Sequence, residues 1–154
     1  LHNVQLNIVG DGEKRRELEA LSKEYAVNAD FLGTMPMKDI PNEMQNNDVL
    51  VLPSLYDGWG AVVNEALTQG LYVVCSDKCG AKDLLHDDYR GAVFRNNDAV
   101  DLHTRLAALT DNISVLRQLR NGRIDWAKAS ISGKVISKYM IDCLMMGNGK
   151  CPWK

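Results

Sequence analysis

Apolar positions along the chain follow two rhythms. In VQLNIVG (Val4 to Gly10), Val4, Leu6 and Ile8 alternate with polar neighbours and Val9 adds one more apolar residue, the mark of a mostly buried strand. Gly10, Asp11 and Gly12 break that strand. From Glu13 to Tyr25, the apolar residues Leu18, Leu21 and Tyr25 recur at helical spacing among Lys, Arg and Glu. The strand, turn and helix unit then repeats. DFLG (Asp30 to Gly33) reads as a short strand, Met37 to Asn46 as a short helix behind Pro36, and DVLVLPS (Asp48 to Ser54) as a nearly continuous apolar strand. Ala61 to Gln69 reads as a helix closed by Gly70 just past its end. LYVVCS (Leu71 to Ser76) is another buried strand, and GAVF (Gly91 to Phe94) the last and shortest. Strands without alternation, separated by helices, predict an α/β fold: a Rossmann-like, mostly parallel sheet flanked by helices.

After Asn97 the pattern is helical almost to the end, which predicts a helical C-terminal region. Val100, Leu102, Leu106 and Leu109 form one stripe, Leu116, Leu119 and Trp126 a second, and Val135, Ile136, Tyr139, Met140, Cys143 and Leu144 a third. Tyr139, Met145 and Met146 suggest a docking face, but such residues at helical spacing usually face an interior, so core packing is the expectation. GNGKCPWK, residues 147–154, has no periodicity and is expected to be a flexible tail.

Length and charge then narrow the picture. At 154 residues and 45% hydrophobic, the chain can bury one sizeable core and is too short for two, so residues 1–146 are expected to form a single domain. Its formal charge of -2 comes from interspersed acids and bases, which argues against a nucleic-acid partner. No run of 18 apolar residues offers a membrane span. Cys75, Cys79, Cys143 and Cys151 come with no signal-peptide pattern, so a reducing compartment is expected. Cys75 and Cys79 with His86 fall short of the four converging ligands of a structural zinc site and read as buried thiols.

The stretch PSLYDGWGAVVNEALTQG (Pro53 to Gly70) carries the chemistry. In a doubly wound sheet, ligands collect beyond the carboxyl ends of the strands, where loops lead into helix N-termini. Asp57, Gly58, Trp59 and Gly60 lie at such a place. Glycines there let a ligand touch the backbone, and the free N–H groups of a helix beginning near Ala61 favour phosphate. Asp57 and Glu65 are acceptors suited to the hydroxyls of two polyols. Two hydroxylated rings joined by a diphosphate, a nucleotide sugar, would engage all of these groups. Spacing alone leaves a plainer alternative open, with Asp57 starting an Asp-Gly turn and Glu65 a solvated helix acid.

These residues resemble the nucleotide-sugar-binding C-terminal half of retaining glycosyltransferases of the group 1 type, built on the two-domain GT-B architecture. That family carries Pro-Ser-x-x-Glu-Gly-Phe-Gly-x-x-x-x-Glu-Ala-x-x-x-Gly, and this chain has Pro53, Ser54, Asp57, Gly58, Trp59, Gly60, Glu65, Ala66 and Gly70. NIVGDGEKRRELE, FLGTMP and CGAKDLLHDDYRGAVF are similar to three further family segments, so the likeness runs from about Val4 to Trp126.

The resemblance implies a hexosyltransferase of bacterial polysaccharide synthesis that retains anomeric configuration and uses a nucleoside diphosphate sugar, with no cofactor or metal. It implies that Asp57 is the catalytic-site carboxylate holding donor-sugar hydroxyls and that Glu65 holds the ribose. Backbone of Gly58, Trp59, Gly60, Ala61 and Val62 would line the sugar and diphosphate. Gly10, Asp11 and Gly12 would border the nucleotide, and Thr34 and Met35 would lie near the base. It further implies an N-terminal domain for the sugar or lipid-linked acceptor, and a cytoplasmic location with peripheral association at the inner face of the membrane.

The chain departs from the pattern in three ways. Asp57 is one methylene shorter than the usual Glu. Lys82 and Asp83 replace a usual Pro and Glu. The Arg and Lys that clamp the diphosphate would lie upstream of Leu1, along with the acceptor domain, so this segment alone is expected to be inactive. A central strand would lie upstream too, leaving the strands at Val4–Val9 and Val49–Leu52 with unpaired edges. The expectation is therefore that the sheet closes up or that these edges pair with another chain. Three other readings compete. They are a sugar-nucleotide epimerase, a dinucleotide dehydrogenase suggested by GDGEKR but with Arg15 at the third glycine position, and a non-catalytic binding or scaffold module.

Overall fold

A computed structural model describes residues 4–147 and 149–153. The alternation read from the sequence is realised as β1 (Leu6–Val9), α1 (Arg15–Glu24), β2 (Ala29–Gly33), α2 (Ile40–Gln45), β3 (Val49–Leu52), α3 (Ala61–Thr68) and β4 (Tyr72–Ser76). A 3₁₀ turn (Gly80–Leu84) and β5 (Gly91–Phe94) follow, then α4 (Ala99–Thr110), α5 (Ile113–Gln118), α6 (Arg120–Ser130) and α7 (Gly133–Met146). The strands pair in parallel, as their lack of alternation predicts.

The core is organised by β4, every residue of which is buried. It lies between β3 and β5, with Val51 opposite Val74 and Val74 opposite Ala92. Successive side chains of a strand point to opposite faces, and here each face has a partner. Val73 and Cys75 pack with Val63, Ala66 and Leu67 of α3 and Ala127 of α6, whereas Tyr72 and Val74 pack with Phe94 and Leu116. Leu102, Leu106 and Leu109 of the first predicted stripe close the second face. Arg123 fastens α6 beneath this core: its buried guanidinium donates to the carbonyls of Gly70 (2.8 Å), Tyr89 (3.0 Å) and Leu116 (2.7 Å).

The sheet itself does not close up. β1 pairs with β2 and β3 with β4, and among the described residues no ladder joins the two pieces, so the closing-up half of that expectation is corrected. Side chains bridge the pieces instead. Asn7 Nδ2 on β1 donates to Glu43 Oε1 at 3.3 Å and to Asn47 Oδ1 at 3.0 Å, at the end of α2. Cover on both faces is likewise confined to the β3–β5 piece, since no residue of α1 is buried and Leu6, Val9, Leu18 and Leu21 are all exposed.

Three C-terminal expectations need correction. Val100 and Leu119 face solvent rather than the core, because the faces of α4 and α5 that meet the sheet end at their neighbours. The third stripe is half core and half surface. Val135, Ile136, Tyr139 and Cys143 are partly buried on α7, whereas Met140, Leu144 and Met145 are exposed, because only one side of this apolar helix meets the rest of the fold. The Met146 side chain lies outside the described residues. Finally, the expected flexible tail is packed at Trp153, whose ring meets Tyr139 edge-on at 5.5 Å and Trp59 at 6.4 Å. Burial of a large aromatic surface holds a segment that has no periodicity to announce it. Asn148 and Lys154, also in that expectation, lie outside the described residues.

Candidate functional site

The loop from β3 to α3 is shaped by the loop that follows β4. Ser76 Oγ donates to the Ser54 carbonyl at 2.6 Å, tying the ends of the two strands together. Next, the Asp57 N–H donates to Lys78 O (3.1 Å), the Gly80 N–H to Asp57 O (3.1 Å), and the Ala81 N–H to Trp59 O (2.6 Å). Cys79 Sγ donates to the same Trp59 carbonyl at 3.2 Å. Residues 78–81 thus form a seat on which the 57–60 turn is laced down. The sequence reading did not include this seat. Its signal was the Cys79–Gly80 pair that opens CGAKDLLHDDYRGAVF.

The two glycines of the turn do different work. Gly60 is buried, with φ +86°, and a Cβ there would lie 2.5 Å from Cys79 Sγ. Its missing side chain makes room for Cys79 and lets the chain enter α3 through a left-handed residue. Gly58 is the open one: a Cβ there would meet nothing within 4 Å. Gly80 is needed as well, since a Cβ on it would fall 2.3 Å from Gly58 O.

Cys75 and Cys79 are free and buried, as expected of structural thiols. Burial, aided by neighbouring Cys79, pushes the Cys75 thiol up to about 12, so it stays protonated at neutral pH.

Asp57 is half-buried, and its Oδ1 accepts from the Trp59 N–H at 3.1 Å. The plainer reading of Asp57 as a turn residue is therefore realised, while Oδ2 takes no part in that bond. Trp59 lies over the start of α3 with its Nε1 donating to Asn64 Oδ1 at 2.9 Å. Glu65 is exposed, on the same stripe of α3 as Ala61 and Thr68, and Val62 is partly buried against the core. The helix has no side-chain cap at Gly60, which leaves its first N–H groups for another acceptor.

The remaining site residues sit at the carboxyl ends of β1 and β2. The Gly10 N–H donates to Gly33 O at 2.8 Å, bringing Gly10, Asp11 and Gly12 beside Thr34 and Met35. Asp11 Oδ1 accepts from the Gly12 N–H at 2.8 Å. Arg15 braces this corner. It donates to Phe31 O (3.1 Å) and pairs with Glu19 (2.8 Å) and Asp11 (3.4 Å). No hydrogen bond among the described residues joins this corner to residues 57–65.

Two clefts, of about 530 and 610 Å³, lie elsewhere, and neither is lined by Asp57 or Glu65. The described residues contain no group of three His, Cys, Asp or Glu placed to hold a metal, and no helix long and apolar enough to cross a membrane.

Comparison with known proteins adds identity to this geometry. The family model described as glycosyl transferases group 1 matches residues 1–125. The chain is 31% identical over 112 residues to sulfoquinovosyl transferase SQD2 of Arabidopsis thaliana, covering 71% of this chain and 22% of that protein. It is 28% identical to protein CapJ of Staphylococcus aureus, covering 92% of this chain and 35% of the relative. Among solved structures, Anabaena HepE in complex with UDP-glucose superposes with a TM-score of 0.78 at 21% identity, over 95% of this chain and 42% of the other. That likeness shows the fold. The chain thus spans between 22% and 42% of the length of these proteins.

Proposed function

The chain belongs to the group 1 glycosyl transferases, and from that premise we propose that residues 1–146 act as the donor-binding domain of a transferase that moves a sugar from a nucleoside diphosphate to an acceptor with retention of configuration. One observation carries the reading. The turn at 57–60 presents open backbone at Gly58 and the uncapped N-terminus of α3 between two carboxylates, Asp57 and Glu65, and is held there by a dedicated seat.

In this reading the diphosphate lies against the first N–H groups of α3, where the helix dipole favours negative charge. As the bond to the departing diphosphate breaks, charge grows there, and donors fixed in advance stabilise it without reorganisation. Glu65 takes the ribose hydroxyls. Asp57, one oxygen engaged with its own turn, offers Oδ2 to the donor sugar. Gly10–Gly12, Thr34 and Met35 face the nucleoside end. In this reading charge stabilisation on this chain falls to the backbone N–H groups that open α3. The acceptor, a sugar or lipid-linked sugar of bacterial surface polysaccharide, is bound by another part of the enzyme, at the cytoplasmic face of the membrane. The UDP-glucose held by the Anabaena protein of the same fold supports a uridine nucleotide as the first donor to try.

Calorimetric or saturation-transfer titration with UDP and UDP-glucose tests the proposal. Glu65→Ala is expected to weaken UDP binding about tenfold, the loss of one charge-assisted hydrogen bond pair. Asp57→Ala is expected to weaken UDP-glucose but not UDP. If no nucleoside diphosphate binds, the scaffold reading replaces this one.

A further inference from the structure

The 610 Å³ cleft lies between the 3₁₀ turn, α6 and the C-terminal segment, and plays no part in the donor reading. Arg90 lines it and is only 3% exposed. Its guanidinium is fixed by stacking, 4.0 Å over the Trp126 ring and 5.6 Å from that of Tyr89, and it pairs with Asp87 Oδ2 at 2.9 Å. Arg90 Nε is buried and has no hydrogen-bond partner among the described residues. A buried donor left unmet destabilises the fold unless an acceptor is supplied, and native structures rarely leave one so. The rim adds Asp83 and His86, both exposed, and the indole of Trp153 completes the wall.

The chemistry of this lining selects among ligands. An anion attracted to Arg90 would meet the carboxylates of Asp83 and Asp87, and a cation attracted to those would meet Arg90. A neutral ring with hydroxyls at its edge and C–H groups on its faces meets neither objection. Its faces suit Trp126 and Trp153, and its hydroxyls can accept from Arg90 while donating to the two carboxylates.

We propose that this cleft is a second carbohydrate site, taking a neutral pyranose, separate from the turn at 57–65. Trp153 touches Trp59 of that turn at 6.4 Å, so a sugar seated in the cleft is felt at the donor loop.

The test is a titration of the indole N–H signals of Trp59, Trp126 and Trp153 with methyl α-D-glucopyranoside and methyl α-D-galactopyranoside. Inorganic phosphate, acetate and the open-chain polyol sorbitol serve as comparison ligands. A saturable shift of Trp126 and Trp153 with at least one glycoside is expected, with a smaller response from Trp59. Asp83→Ala and His86→Ala, at exposed rim positions that leave the fold intact, are expected to weaken binding about fivefold each, and Trp153→Ala to abolish it. Glu65→Ala should leave the glycoside response unchanged, which keeps this site distinct from the donor site, so failure of UDP to bind does not touch this result. The proposal is overturned by any of four results: no saturable shift with either glycoside; equal shifts with phosphate or acetate; glycoside binding unchanged in all three cleft variants; or its loss in Glu65→Ala.

Discussion

The β3–β5 half of the molecule and the lobe of β1, α1 and β2 are built from the same strand, turn and helix unit, yet only the first has an interior. In the β3–β5 half, α3 and α6 cover one face of β4, and α4 and α5 the other. In the lobe, α1 lies beside a two-stranded piece, and none of its residues is buried. A sheet stabilises what it carries by burying both faces around a central strand. The turn at 57–60, our proposed donor site, hangs from the half that does this, and the corner at Gly10 and Thr34, proposed to face the nucleoside, from the half that does not. In that reading, rigidity is placed where charge must be met by fixed dipoles.

Leucine truncation offers the sharpest way to break that comparison. Leu67 of α3 is 0% exposed and Leu18 of α1 is 43% exposed. Leu67→Ala should cost about 2–5 kcal/mol through lost burial and the cavity left behind. Leu18→Ala should cost less than about 1 kcal/mol. Urea unfolding of the two variants decides. Equal losses would mean that the lobe buries its apolar surface after all.

Gly60→Ala should come next in size and links packing to the site. Its Cβ would crowd Cys79 Sγ at 2.5 Å on a backbone with φ +86°. Strain of about 1–3 kcal/mol is expected, with the turn lifted from its seat. Replacing the thiol as well, in Gly60→Ala/Cys79→Ala, frees the space but not the dihedral, and should recover part of the stability. If the double variant is no more stable than the single one, Cys79 does not hold the turn.

How much of this was legible in the sequence divides along the same line. The strands, the entry to α3 and the acids at 57 and 65 could be read because apolar runs and glycine turns are local signals. Gly70, expected to end α3, does so with φ +78°. The seat at 78–81 was not read, because lacing between two loops joins residues about twenty positions apart and leaves no periodic trace. Trp153 escaped for a related reason, since a lone aromatic in an aperiodic segment reveals nothing about which ring it will meet. The exposure of Leu144 and Met145 shows the converse: helical spacing of apolar residues says that a face exists, not that anything covers it. The close contact of Gly60 with Cys79 was not legible either, for the same reason as the seat.

The smallest effect sharpens the comparison electrostatically. In the β3–β5 half, Asp48 accepts two bonds from Arg117, at 2.9 and 2.8 Å, fastening the start of β3 to α5. These bonds, opposed by partial burial and helped by the charge of Arg117, hold its carboxyl below its ordinary value of 3.8. A depressed folded-state value means that stability from this pair is fully present above the unfolded value and is lost as pH falls through the lowered one. Because Arg117 is largely exposed, the contribution is screened to about 0.5 kcal/mol. Asp48→Asn should therefore lower stability slightly near neutral pH and flatten the acid side of the curve. In the lobe, the Lys14–Glu17 pair lies on the open face of its helix, and Glu17→Gln should change stability near neutral pH less than Asp48→Asn does. Urea midpoints measured from neutral pH down through the carboxylate range would separate the two. An acid limb unchanged in Asp48→Asn would show that the clasp between β3 and α5 contributes nothing to the stiffness of the half that carries the site.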